Sequence, residues 1–228
     1  MVCLSCGSLL AACAPQTEDR TPLTVEQYTG DVSFYPQETG ANWAYVPEGS
    51  SVEGVGLVKA IEGPTVINND LWIAMRVAGI GTQGAVYRQY REDGVYKLRE
   101  DASGFRSTYD PPLKEYPAQS ELRVGATWSG DSTVTTIFPE AKPEDRRQVF
   151  NINYTYTVVD RRNVRLPVGE LQVFVINLVG RNFSADGTVA NEITQEIWFS
   201  PFVGEVRTQE GYFLTRTNVL QAAANARP

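Results

Sequence analysis

From Tyr28 onward no segment keeps a 3.6-residue apolar period for more than a turn or two, and this restricts the possible folds more than any motif in the chain. Short stretches rich in Val, Ile, Thr, Tyr, Phe and Trp alternate with Gly, Pro, Asn and Asp, the pattern of strands joined by tight turns. Ile152, Tyr154, Tyr156 and Val158 fall on one face and Asn153, Thr155 and Thr157 on the other, which predicts a half-buried antiparallel strand. Leu171 to Val179 is apolar on both faces and predicts a strand covered on both sides. Val86 to Glu92 and Val95 to Glu100 flank Asp93-Gly94, which predicts a hairpin closed by a type I′ turn with positive φ at both residues. Ile193 to Phe199, Val203 to Thr208 and Tyr212 to Leu220 read as a closing meander, and only Leu220 to Ala226 and Pro143 to Arg147 have helical character. The expectation is a single, mainly β domain over 28–221, with a C-terminal tail over 222–228.

Composition removes whole classes of chemistry. The 228 residues include no histidine, so Ser-His-Asp and Cys-His catalysis, HExxH zinc chemistry and histidine pH switches are all absent. Twenty basic against 27 acidic side chains give a net charge of -7, which disfavours nucleic acid, because phosphate binding needs clustered Lys and Arg. The same charge disfavours electrostatic docking on anionic lipid.

The amino terminus carries the most specific short signal. Residues 1–12 hold no charge and end in Leu10-Ala11-Ala12 before Cys13, a tetrapeptide that resembles a bacterial lipobox. Residues 1–12 then read as a signal peptide, with Cys13 as the diacylglycerol site and membrane anchor; two or more acyl chains hold a protein stably where one does not. The basic residues usual at the start of a signal peptide are missing here. A short apolar strand with a chance cysteine is the competing interpretation. Residues 13–27 form the lipidated cysteine and a polar tether; its stretch Ala14–Gln27 reaches about 45 Å at about 3.3 Å per residue when extended. All three cysteines, Cys3, Cys6 and Cys13, precede this tether, so the rest of the chain offers no disulfide or thiolate metal site.

One pattern recurs. Tyr35-Pro36 is followed by Gly40-Ala41-Asn42-Trp43, and Tyr116-Pro117 by Gly125-Ala126-Thr127-Trp128, so in each copy a turn glycine would deliver a Trp into the start of a strand. With Val164 to Gly169 and Trp198 to Arg207, these segments make the chain resemble a family of lipid-anchored bacterial envelope proteins. That family shows Tyr-Pro, G-x-x-W-x-Y, a second G-x-x-W, V-x-x-P-x-G and W-[FY]-[AS]-P-x-V-G-x-V-[KR]. The resemblance implies a strongly curved antiparallel sheet, a half-barrel or open barrel similar to those of lipoprotein carriers, and no established catalytic residues. By the same resemblance, Ala14 after the lipid site suits the outer membrane. Phe202 stands where the pattern has glycine, and Glu205 where it has an apolar residue, so the loop after Pro201 is expected to differ in shape.

Other constellations are weaker. Gly79-Ile80-Gly81-Thr82-Gln83-Gly84 matches G-x-G-x-x-G, but a strand follows it instead of the helix that a dinucleotide site requires, so it reads as a strand connection. Asn182, Ser184, Asp186, Gly187 and Glu192 loosely echo a calcium loop with Ile193 in place of the bidentate acid; a hairpin turn accounts for the same residues. Glu192, Glu196 and Glu205 are the candidate carboxylates for glycoside hydrolysis, although Glu192 and Glu196 would lie about 13 Å apart along one strand. Tyr87, Tyr90, Tyr96, Tyr109 and Tyr116, interleaved with Arg88, Arg91, Lys97, Arg99 and Arg106, suit either sheet packing or a ligand groove.

The leading expectation is a non-enzymatic, lipid-anchored envelope protein without metal, cofactor or catalytic residues. It would bind an apolar ligand in a cavity lined by Trp43, Trp72 and Trp128, or another envelope protein at an exposed sheet edge. The alternatives are a carboxylate-dependent surface polysaccharide hydrolase and a structural component of the wall or surface layer.

Overall fold

The computed structural model describes residues 28–226, apart from 52, 53, 55, 80, 185 and 186. Cys13, its cleavage motif Leu10-Ala11-Ala12 and the tether lie outside the described residues. Twelve strands run up and down in sequence order: β1 (Asn42–Pro47), β2 (Leu57–Ile67), β3 (Asp70–Gly79), β4 (Thr82–Arg91), β5 (Gly94–Ala102) and β6 (Phe105–Pro117), then β7 (Thr127–Ile137), β8 (Arg147–Leu166), β9 (Gly169–Phe183), β10 (Val189–Ser200), β11 (Gly204–Arg207) and β12 (Tyr212–Thr217). A short helix, α1 (Leu220–Ala226), ends the described chain. Every neighbouring pair is antiparallel, and β1 pairs with both β2 and β12, so the curved sheet closes into a barrel.

Alternation explains the strands that the sequence marked. On β8, Tyr154, Tyr156 and Val158 are buried; on β9, Val173 to Ile176 are buried on both faces. The glycine-rich motif runs from the last residue of β3 into β4, with Gly79 paired opposite Thr82, so it joins two strands and leads into no helix. Backbone approach demands glycine at its first position, because a Cβ on Gly79 would lie 2.0 Å from the Gly56 carbonyl oxygen.

Three local expectations change. The β4–β5 hairpin forms, but Arg91 pairs with Gly94 and Asp93 does not take positive φ, so its turn is not type I′. The turn with positive φ at both central residues is Asn68-Asn69, between Ile67 and Asp70, where amide side chains tolerate the left-handed region. Residues 143–146 form a turn and bend before β8, not a helix. Residues 222–226 are no tail but part of α1, and Ala222 and Ala223 are buried in one cluster with Leu171, Val173 and Val175 of β9.

The repeated G-x-x-W segments occupy equivalent places, opening β1 and β7, six strands apart. Gly40 and Gly125 both take positive φ, 89° and 86°. Gly40 N–H donates to Ile61 O (2.9 Å) while Ile61 N–H donates to Ala41 O (2.8 Å); Gly125 N–H donates to Val158 O (2.8 Å) while Val158 N–H donates to Ala126 O (2.9 Å). In both halves the partner strand shifts register immediately after that residue. Each six-strand half therefore begins with the same backbone device.

The two ends of the barrel differ. At one, residues 28–41 cross the opening: Tyr35 packs on Tyr116 and Phe199 with ring centroids 5.3 and 5.2 Å apart, and its hydroxyl donates to Pro117 O (2.9 Å). Phe202 N–H donates to Phe34 O (3.0 Å) and the two rings meet edge to face. Phe202 adopts φ 64°, so the loop keeps the left-handed conformation that glycine favours even though the side chain differs. The opposite end, at the β3–β4, β5–β6 and β11–β12 turns, is open.

Candidate functional site: a charged cavity inside the barrel

A barrel of eight strands is just wide enough for its side chains to fill, and width grows with strand number. Twelve strands leave space. A cavity of about 470 Å³ extends from the open end to the middle of the barrel, and a second of about 260 Å³ adjoins it beneath β6 to β10.

The floor is charged. Lys59 of β2 donates to Glu205 of β11 (2.6 Å), Arg88 of β4 donates to Glu115 of β6, and the Arg88 guanidinium lies 3.8 Å from Glu205. The Tyr116 hydroxyl donates to the other Glu205 oxygen (3.1 Å). Lys97 of β5 lies 3.6 Å from Glu115 and 3.7 Å from Glu100, with its ammonium 4.8 Å from the centre of the Tyr109 ring. Buried charges persist only when they are paired, and this chain of paired charges links five strands.

Bulges bring these groups inside. Strict alternation places Lys97 and Glu100 on opposite faces of β5, but the ladder slips between Lys97 and Arg99, so both point inward. A second slip pairs Val95 with Tyr116 and Tyr96 with Lys114, leaving Glu115 as an extra residue whose carboxylate reaches Arg88.

Burial opposes ionisation of Glu205, but Lys59 and Arg88 outweigh it and hold the carboxyl at about 2. Glu115 is lowered for the same reason, with Arg88 and Lys97 overcoming its burial. Burial likewise disfavours charge on Lys97, yet Tyr109, Glu115 and Glu100 raise it above the ordinary lysine value. Glu205, Glu115 and Lys97 are thus held in their charged forms, and neither Glu205 nor Glu115 is placed to donate a proton at neutral pH.

None of the three tryptophans expected to line a ligand cavity borders either of these two spaces. Trp43 borders a small void of about 50 Å³ beside the network and donates to Val203 O (2.6 Å). Trp72 is buried on the face of β3 opposite Met75 and Val77, which line the cavity. Trp128 points inward but stacks on Tyr156, with centroids 5.3 Å apart and planes 9° from parallel. The candidate carboxylates also separate: Glu192 pairs with Arg181 (2.6 Å) and Glu196 accepts from Trp198 (2.8 Å), while Glu205 alone faces the interior.

The tyrosine and cation stretch divides by face. Arg88, Tyr90, Lys97, Tyr109 and Tyr116 enter the interior, whereas Arg99 covers Tyr87 and Arg91 covers Tyr96 outside. Ser184 and Gly187 lie in the β9–β10 turn, joined by a backbone hydrogen bond of 2.9 Å, and Asp186 falls outside the described residues. Among the described residues no three Cys, Asp or Glu side chains converge as a metal site. No described helix is long and apolar enough to cross a membrane.

No protein family profile matches the chain, and no curated protein does. Two solved structures are similar. One is a Parabacteroides distasonis protein named as a lipoprotein, 12% identical, covering 82% of this chain and 99% of its own, with a TM-score of 0.38. The other is a Bacteroides fragilis protein named as exported and of YmcC-like fold, 13% identical, covering 82% of this chain and 99% of its own, with a TM-score of 0.50; the likeness is one of fold.

Proposed function

We propose that this chain is a lipid-anchored protein of the bacterial cell envelope, tethered through Cys13 to the outer membrane, whose barrel is a binding module for a small ligand. The observation that carries the binding role is the 470 Å³ space inside the barrel, open at one end and unfilled by side chains, within the size range of small-molecule sites. The lipobox-like Leu10-Ala11-Ala12-Cys13 supports the anchor. The fold neighbour from Bacteroides fragilis, named as exported, is compatible with it. Strand addition at the first or last strand of the sheet is not favoured, because β1 and β12 pair with each other. The charged floor requires a ligand with polar groups as well as apolar surface.

Intact and native mass spectrometry of the protein extracted from its own membranes tests both parts. The expected result is a chain beginning at a lipidated Cys13 with a small molecule bound, the molecule being lost when Ala102→Trp fills the mouth of the cavity. A soluble chain still carrying Met1 would refute the anchor. Envelope-extracted protein with nothing bound would refute the binding role.

A further inference from the structure

The three interior cations are not equally satisfied. Lys59 and Arg88 each donate a hydrogen bond to a carboxylate. Lys97 is only 9% exposed, and its ammonium has no hydrogen bond among the described residues; its nearest carboxylate oxygens, at 3.6 and 3.7 Å, lie beyond hydrogen-bonding distance. Of those two acids, Glu115 is already engaged by Arg88, and Glu100 is the more exposed, at 37% of its side chain. Lys97 is therefore the one interior cation of the three that is met by charge alone, from Glu115 and Glu100, and by no hydrogen bond.

Lys97 also sits where the two interior cavities meet, since it lines both. A buried ammonium directed into open space with its donors unmet is a site for an anion, because charge-assisted hydrogen bonds are about twice as strong as neutral ones. Between Lys97 and the open end, Leu57, Val77, Val86, Ala102, Phe105 and Tyr212 form an apolar collar interrupted by Thr82, Gln209 and Glu210. Together these features define an amphipathic pocket in whose charged interior Lys97 is the cation without a hydrogen-bonded counter-ion.

We infer that Lys97 receives the head group of an amphiphile bearing one anionic group, with its apolar part held in the collar at the mouth. This rests on the barrel being a binding module and specifies what it binds. Carboxylate and phosphate heads share the required chemistry. Glu100, the acid closest to Lys97 on its own strand, is displaced from the ammonium when the head group arrives, so it acts as a competitor.

Isothermal titration of the full-length protein with octanoate, octyl phosphate and octanol, all below their aggregation limits, tests the inference. At least one acid is expected to bind about tenfold more tightly than octanol, a difference that an added ionic hydrogen bond can supply, and the tighter of the two identifies the head group. Lys97→Gln should remove that preference and leave octanol binding in place. Glu100→Gln should raise acid affinity several-fold with no effect on octanol, an outcome that a merely structural role for Lys97 would not produce and one independent of whether Lys97→Gln folds. Octanol binding as tightly as both acids would overturn the inference while leaving the binding module intact. Unchanged acid affinity in Glu100→Gln would also overturn it.

Discussion

Glu205 shows how one residue can control the interior. Its carboxylate joins Lys59, Arg88 and Tyr116 across the barrel. Its value of about 2 in the folded protein lies below the ordinary 4.5, so the folded state binds fewer protons than the unfolded state between those limits. The stability this contributes is fully present above about pH 4.5 and is lost as the pH falls toward 2, amounting to roughly 3 kcal/mol. Urea unfolding followed from pH 6 to pH 2.5 should show that decline. Glu205→Gln should flatten it and lower stability at pH 7 by roughly 3 kcal/mol, because Lys59 then loses its buried counter-charge. A variant with wild-type acid sensitivity would show that the network does not govern acid stability. The sequence marked Glu205 as a carboxylate of interest. It did not show that Glu205 would meet Lys59 and Arg88, which are 146 and 117 positions away and come together only through barrel closure.

At the scale of elements, the most informative finding is the shared opening of the two halves. The sequence showed two Tyr-Pro and G-x-x-W segments; the structure shows that each glycine-alanine pair makes the same reciprocal hydrogen bonds just before a register shift. Positive φ at both glycines explains the residue choice, since nothing lies within 4 Å of a Cβ placed on Gly40 or Gly125. Gly40→Ala and Gly125→Ala should each cost about 1 kcal/mol through backbone strain alone, and their effects should add, because the sites are distant. Chemical denaturation midpoints of the single and double variants check this; strongly unequal costs would mean that the two segments are not equivalent. Bulges were the part that sequence did not disclose. A period of two assigns every residue of a strand to a face, and one extra residue reverses the assignment beyond it, which is why Lys97, Glu100 and Glu115 could not be placed together in advance.

For the whole molecule, closure is uneven around the barrel. β8 and β9 pair continuously apart from one register shift, from Asn151–Phe183 to Leu166–Gly169, whereas β11 and β12 share the single pair Arg207–Phe213. Hydrogen exchange should therefore be faster for the amides of Gly204–Arg207 and Tyr212–Thr217 than for those in the middle of β8 and β9, because short ladders open at lower free energy. Uniform protection around the barrel would show that it opens only as one unit. Composition and alternation alone determined that this chain is a β protein without histidine chemistry, since strand period, turn residues and missing side-chain types are local properties. The repeated G-x-x-W pattern also marked the Gly40 and Gly125 turns as strand openers. Closure into twelve strands, the space this leaves and the ionic network around it were decided only in three dimensions. Each depends on register between strands far apart in the chain, and register is a relation between segments that no single segment encodes.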